Sequence, residues 1–332
     1  MFVLYSTENF STLYIFYTIV SFLLIIFIVN IKFSYNTIKF IKLKWSSLKK
    51  ILISVFLLIF IFLIYKNRNY FNLNIARVYE YRSELKNINY GLFSYVIFSF
   101  LPIIMSFSFS YYLIKKRIIF ILLFIVLFIV FFGLTSHKSF LFLPFLIIGI
   151  YIILKFKNPI QIIILGFIFL IIVSLFLDII LKTNWISGLF IRRFLFVPAQ
   201  LNFLYYDFFS KNPKVFFTDS KWLMINNFID YPYYLNIPNL IGKVYFNAPD
   251  MSANTSWIGS GFAHAGFLGM ILYALIIGLL FKFLNYKSKK LGNTFIVISF
   301  SIFILSIFLS SDLKTCFLTH GLLIYLLIMI FF

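Results

Sequence analysis

His264 lies inside an apolar stretch, in Ser252-Ala-Asn254-Thr-Ser-Trp257-Ile-Gly259-Ser-Gly261-Phe-Ala-His264-Ala-Gly266-Phe-Leu-Gly269. An ionisable side chain is costly to keep in a spanning helix and is therefore a functional candidate. An imidazole also titrates near neutrality, which suits proton transfer. The competing reading is a buried structural hydrogen bond. Small residues at 259, 261, 263, 265 and 266 would let another helix or a lipid chain approach closely. Asp207, Asp230 and Asp250 are the loop carboxylates placed to serve as a general base, and their spacing selects none of them.

Candidate anion-binding groups are spread along the chain. Arg192 and Arg193 follow the sixth apolar run, where planar guanidinium groups can hold a lipid-linked phosphate or snorkel to ordinary headgroups. The turn Thr135-Ser136-His137-Lys138-Ser139 offers an imidazole and an ammonium that could bind phosphate, or simply be solvated. Arg77 and Arg82 sit in a charged segment whose Glu80 and Glu84 can pair with them on a short helix; the alternative is substrate contact. Asp178, inside the sixth run, can pair with Lys182 at i,i+4.

These residues must be positioned by an all-α polytopic membrane fold. Hydrophobic residues make up 63% and charged residues 11%, with a mean hydropathy of +1.03, against roughly 25% charged in soluble domains. Apolar runs at about 12–31, 51–65, 91–114, 118–134, 139–154, 159–181, 257–281, 293–311 and 315–332 predict about nine spanning helices. The first is too long for a signal-peptide core and lacks a small-residue cleavage site, so it reads as a span. The chain divides into an N-terminal membrane bundle (1–181, with a loop at 66–90), a large extracytoplasmic loop (182–256) and C-terminal membrane helices (257–332).

The net charge of +20 is concentrated in short connections free of acidic residues: Lys32, Lys39, Lys42, Lys44, Lys49 and Lys50; Lys115, Lys116 and Arg117; Lys155 and Lys157; Lys282, Lys287, Lys289 and Lys290. All fall on one side, which becomes cytoplasmic by the positive-inside rule and points to membrane lipid rather than nucleic acid as the partner. The 182–256 loop then faces outward. It opens with an amphipathic stretch, Ile191 to Phe209, suited to the interface. One cysteine, Cys316, excludes an intrachain disulfide, and metal-protease, phosphate-loop and nucleophile-elbow motifs are missing.

The Thr135–Ser139 turn, Arg192-Arg193-Phe-Leu-Phe-Val-Pro198 followed by Tyr205-Tyr206-Asp207-Phe208-Phe209, and the stretch from Asn254 to Gly269 resemble, in order, features of the Wzy-type O-antigen and capsule repeat-unit polymerases. Lys138 stands where that family's turn usually has arginine. The resemblance implies a glycosyltransferase of the bacterial inner membrane that needs neither cofactor nor metal. It would move a growing glycan between undecaprenyl-diphosphate-linked oligosaccharides at the outer face, with a flippase and a chain-length regulator as partners. Arg192, Arg193 and Lys138, with His137, Arg77 and Arg82, would hold diphosphate. On chemical grounds His264 or Asp207 could serve as the positioned base, Asn254 is a candidate substrate contact, and the aromatics Trp222, Tyr231, Tyr233, Tyr234, Tyr245 and Trp257 could stack on sugar faces or form an ordinary interface belt. A ligase shares this substrate class, and a lipid-linked oligosaccharide flippase is a further alternative.

Overall fold

A computed structural model describes residues 11–32, 45–75, 77–85, 88, 90, 91, 96–220 and 225–331. Lys39, Lys42, Lys44 and Trp222 lie outside them. Every regular element among the described residues is helical: α1 (Thr12–Asn30), α2 (Trp45–Asn67), α3 (Val78–Leu85), α4 (Leu101–Ile114), α5 (Ile118–Thr135), α6 (Lys138–Ile153), α7 (Pro159–Leu181), α8 (Val197–Lys211), α9 (Ile237–Phe246), α10 (Trp257–Leu291), α11 (Asn293–Leu305), α12 (Leu313–Leu318) and α13 (Leu322–Phe331). Wider π-type turns lead into α4 and α8 and extend α11.

Among the described residues, seven helical segments are long and apolar enough to cross a membrane: Thr12–Asn30, Ile53–Tyr70, Ile97–Ile114, Ile118–Thr135, Pro159–Leu181, Trp257–Leu291 and Asn293–Ser310. The other two expected spans form shorter apolar helices, Lys138–Ile153 and Leu322–Phe331. α7 shows most directly that lipid is the solvent. Its buried residues are polar, Ser174 and Asp178, while Ile160 and Ile179 are more than 70% exposed. That inverts the rule for a helix in water.

Local chemistry sets the helix ends. Ser11 caps α1 by accepting from the Tyr14 N–H, and Pro159 opens α7 with its φ already set. Ser136, Lys182 and Asn247 end α5, α7 and α9 in the left-handed conformation. The expected Asp178–Lys182 pair is not made. The chain turns at Lys182, and the Asp178 carboxylate instead accepts the N–H groups of Ile186 (3.0 Å) and Ser187 (2.9 Å), which start the next helical turn and would otherwise lack partners. The amphipathic stretch expected at 191–209 is helical throughout, as a π-type segment (Gly188–Phe196) running into α8.

The chain forms two compact units, each assembled from three separate stretches of sequence. One contains 34–157, 286–303 and 317–332. In it α2, α4, α5 and α6 share a core of Leu63, Phe109, Phe128, Phe131 and Ile147. Buried Asn67 donates to the Leu134 carbonyl (2.6 Å) and accepts from the Tyr90 hydroxyl (3.0 Å), which anchors the turn after α5. The other unit contains 1–33, 158–285 and 304–316. Within it Asn202 of α8 is a polar hub. Its Oδ1 accepts from Thr255 (3.0 Å), Ser256 (2.9 Å) and the Gly259 N–H (2.8 Å), clamping α8 to the start of α10.

Candidate active site at the break in α10

α10 is broken at Ala265 (φ −144°, ψ 30°) and Gly266 (φ 61°, ψ −144°). The Gly266 conformation is open essentially to glycine alone. Gly261 and Gly269 then approach so closely that a Cβ on Gly269 would collide with the Gly261 carbonyl. A helix break orphans carbonyls, and the segment after α8 takes them up. Val215 N–H donates to Ala263 O (3.0 Å) and Phe216 N–H to His264 O (2.9 Å). The break therefore fixes both the position of His264 and the strand of loop beside it.

His264 is fully buried at this point. Its Nε2 lies 3.2 Å from Asp312 Oδ2, and its Nδ1 lies 3.9 Å from Asp219 Oδ1 without a hydrogen-bond partner. Tyr273, two turns along α10, donates its hydroxyl to Asp312 Oδ1 (2.7 Å). Lys314 pairs with Asp219 and stands 3.6 Å from Asp312 Oδ2. Burial works against the Asp312 carboxylate, but the His264 charge and hydrogen bond, the Lys314 ammonium and the Tyr273 hydroxyl together hold it below the usual carboxylate range. The Phe217 ring stacks on the imidazole at 4.3 Å and 14°. Both Phe216 (φ 47°) and Phe217 (φ 64°) are held in the left-handed region, a strained choice for bulky side chains.

Two properties follow from this arrangement. A carboxylate can only accept, so Nε2–H donates to Asp312 and a neutral His264 would carry its lone pair on Nδ1. The two carboxylates and the one ammonium sum to a single negative charge around the imidazole, which a protonated His264 would cancel. Donor atoms of Asp219, His264 and Asp312 lie within 4.8 Å of one another, a spacing that suits a metal ion. The Lys314 ammonium already sits between the two carboxylates and fills that cationic role.

Asp207 is not part of this group. Lys211 (2.6 Å) and Tyr245 (2.5 Å) hold its carboxylate. Burial opposes the charge, yet those two hydrogen bonds and the ammonium keep the carboxyl below its ordinary range, which weakens it as a base. Trp257 is wholly buried, edge-on to Phe22 and Phe308, and so packs the core instead of offering a face to sugar. Asn254 is exposed beside Ser252. Tyr234 is fully exposed, while the Tyr231 and Tyr233 hydroxyls are taken by Leu235 and Pro213 carbonyls. Asp230 and Asp250 are exposed.

Arg192 and Arg193 are exposed on the π-type segment, with no ion pair among the described residues. Arg77 pairs with Glu80 at 2.7 Å and lies over Tyr81, the self-satisfied surface arrangement; Arg82 is exposed. His137 and Lys138 start α6. His137 packs on Phe98 (5.0 Å) and lines a cavity of about 480 Å³ with Ser99, Thr319 and His320. Burial, reinforced by the Arg82 charge, pushes its imidazole down to about 4. That burial favours the neutral imidazole.

Sequence reasoning missed Asp312 and Lys314, which fall in the short gap between the last two apolar runs, and Lys214, whose ammonium lies over the Phe262 ring (4.7 Å) beside the break. The available signal was a charged Asp-x-Lys in so short a gap. No family model, characterised protein or solved structure matches this chain.

Proposed function

We propose that this chain is a glycosyltransferase that joins lipid diphosphate-linked oligosaccharide repeat units at the outer face of a bacterial inner membrane, with His264 as general base. The observation that supports it is the buried His264–Asp312 pair at a broken apolar helix, with Nδ1 left without a hydrogen-bond partner. The motif resemblance of the surrounding segments supplies the substrate class.

In this reading an acceptor sugar hydroxyl gives its proton to His264 Nδ1 as its oxygen bonds to the donor's anomeric carbon. The bond from that carbon to the phosphate oxygen breaks, and the lipid diphosphate leaves with the electron pair. Asp312 positions the imidazole and stabilises its protonated form, as a carboxylate behind a histidine generally does. Basic groups neutralise the leaving diphosphate: Lys214 lies beside the break, and Arg192 and Arg193 lie on the segment leading into α8. Phe217 covers one face of the imidazole.

The test is deletion of the gene in its host, with complementation by wild type, His264→Gln or Asp312→Asn at matched membrane abundance, and sizing of the surface glycan. Single repeat units on the lipid acceptor in the deletion and both variants support the polymerase. Full-length polymer stranded on its carrier would support a ligase instead, and an unchanged ladder in the deletion would overturn both.

A further inference from the structure

A second site lies at the basic end of α2, α4 and α5, made of residues other than those at the break in α10 and independent of the function proposed for it. These helices enclose a cavity of about 670 Å³, within the size range of ligand sites. Phe56 and Leu57 of α2, Phe107 of α4, and Leu123 and Phe124 of α5 give it apolar walls. Its mouth is of different character, formed by Tyr111, Tyr112, Lys115 and Arg117.

The turn between α4 and α5 explains the mouth. Lys116 adopts φ 52°, reversing the chain, and Arg117 N–H closes the turn on Tyr112 O at 3.1 Å. Lys115 and Arg117 are thereby left exposed at one end of the cavity. No side chain caps the start of α5, so its first N–H groups add positive potential at the same place. Lys115 also lies 6.0 Å from the Tyr111 ring.

Dimensions select the occupant. From Ile104 to Lys115, the limits of the lining on α4, the helical rise gives roughly 16 Å, about half of a ~30 Å hydrocarbon core. The cavity thus spans one leaflet, apolar inside and cationic at headgroup depth.

We propose that this cavity holds one anionic phospholipid of the surrounding leaflet, an acyl chain between α2, α4 and α5 and its phosphate at Lys115 and Arg117. A neutral lipid would fill the walls but leave the two cations unused.

The test is native mass spectrometry of the full chain in detergent titrated with dioleoylphosphatidylglycerol, dioleoylphosphatidylcholine or inorganic phosphate. One phosphatidylglycerol adduct should form in preference to phosphatidylcholine. Lys115→Gln with Arg117→Gln should weaken it by roughly fivefold per cation removed. Leu123→Trp, which leaves both cations in place and changes an exposed residue, should weaken it by filling the groove. Equal binding of the two lipids, or phosphatidylglycerol binding unchanged in both variants, overturns the proposal. So does competition by inorganic phosphate at concentrations comparable to the lipid, which would make the site a phosphate site without a chain.

Discussion

Two of the nine acidic residues in the chain, Asp219 and Asp312, converge on one buried imidazole. His264 was legible in the sequence because an ionisable group in an apolar run demands an explanation. Its partners were not, because Asp219 is one of several loop carboxylates and Asp312 occupies a gap where a polar turn is unremarkable. Only the return of three distant segments to one point distinguishes them from Asp207, Asp230 and Asp250, the loop carboxylates that the sequence offers as bases. Phe217 shields the imidazole, so Phe217→Ala should increase the rate at which diethylpyrocarbonate modifies His264 several-fold, read by peptide mass spectrometry with His137 and His320 as internal references. An unchanged rate would mean that the ring does not gate the site.

His137 gives a prediction of opposite kind at the same scale. Its folded value of about 4 lies below the ordinary 6.5. The unfolded chain therefore binds the proton first as pH falls, and stability present above pH 6.5 is lost between there and pH 4, by on the order of 3 kcal/mol at most. His137→Gln should flatten the fall in thermal midpoint between pH 7.5 and 5 in detergent. A slope equal to wild type would assign the pH dependence to other groups.

At the scale of the element, the decisive feature is that α10 is two helices joined at a glycine. Hydropathy reads it as one span because the break leaves composition untouched, and the glycines at 259, 261, 266 and 269 were legible only as packing residues. Their roles differ in the structure. Gly266 supplies a backbone conformation, and a Cβ there would find ordinary space at 3.4 Å from Lys214. Gly269 supplies contact, since a Cβ there meets backbone. Gly266→Ala should therefore cost about 1–3 kcal/mol from conformation alone, visible as a lowered thermal midpoint. Gly166→Ala in α7, where a Cβ meets nothing within 4 Å, should cause no loss. Equal effects from the two substitutions would show that the break is not a fixed feature of the fold.

For the molecule as a whole, the sequence points to a membrane protein through uninterrupted apolar runs, and seven helices among the described residues have the length to match. The way the chain returns on itself was not legible. The last helices divide between both compact units, which no periodicity announces because an apolar helix surrounded by lipid has no polar face to orient it. The placement of basic residues predicts that the Lys282–Lys290 end of α10 is cytoplasmic and the break near its other end is exterior. Alkaline phosphatase fused after residue 292 should be inactive, and fused after residue 212 active. The reverse pattern would put the His264 cluster on the wrong side for a carrier-linked glycan at the outer face.

The most direct measurement reconstitutes the full chain in liposomes with a lipid diphosphate-linked repeat unit and compares wild type with Asp312→Asn and Asp207→Asn across pH. If His264 and Asp312 form the catalytic centre, wild type builds a ladder of products. Asp312→Asn should then lower kcat by on the order of 10²-fold or more with an altered pH profile, while Asp207→Asn retains activity. A wild-type ladder and pH profile in Asp312→Asn would contradict the assignment.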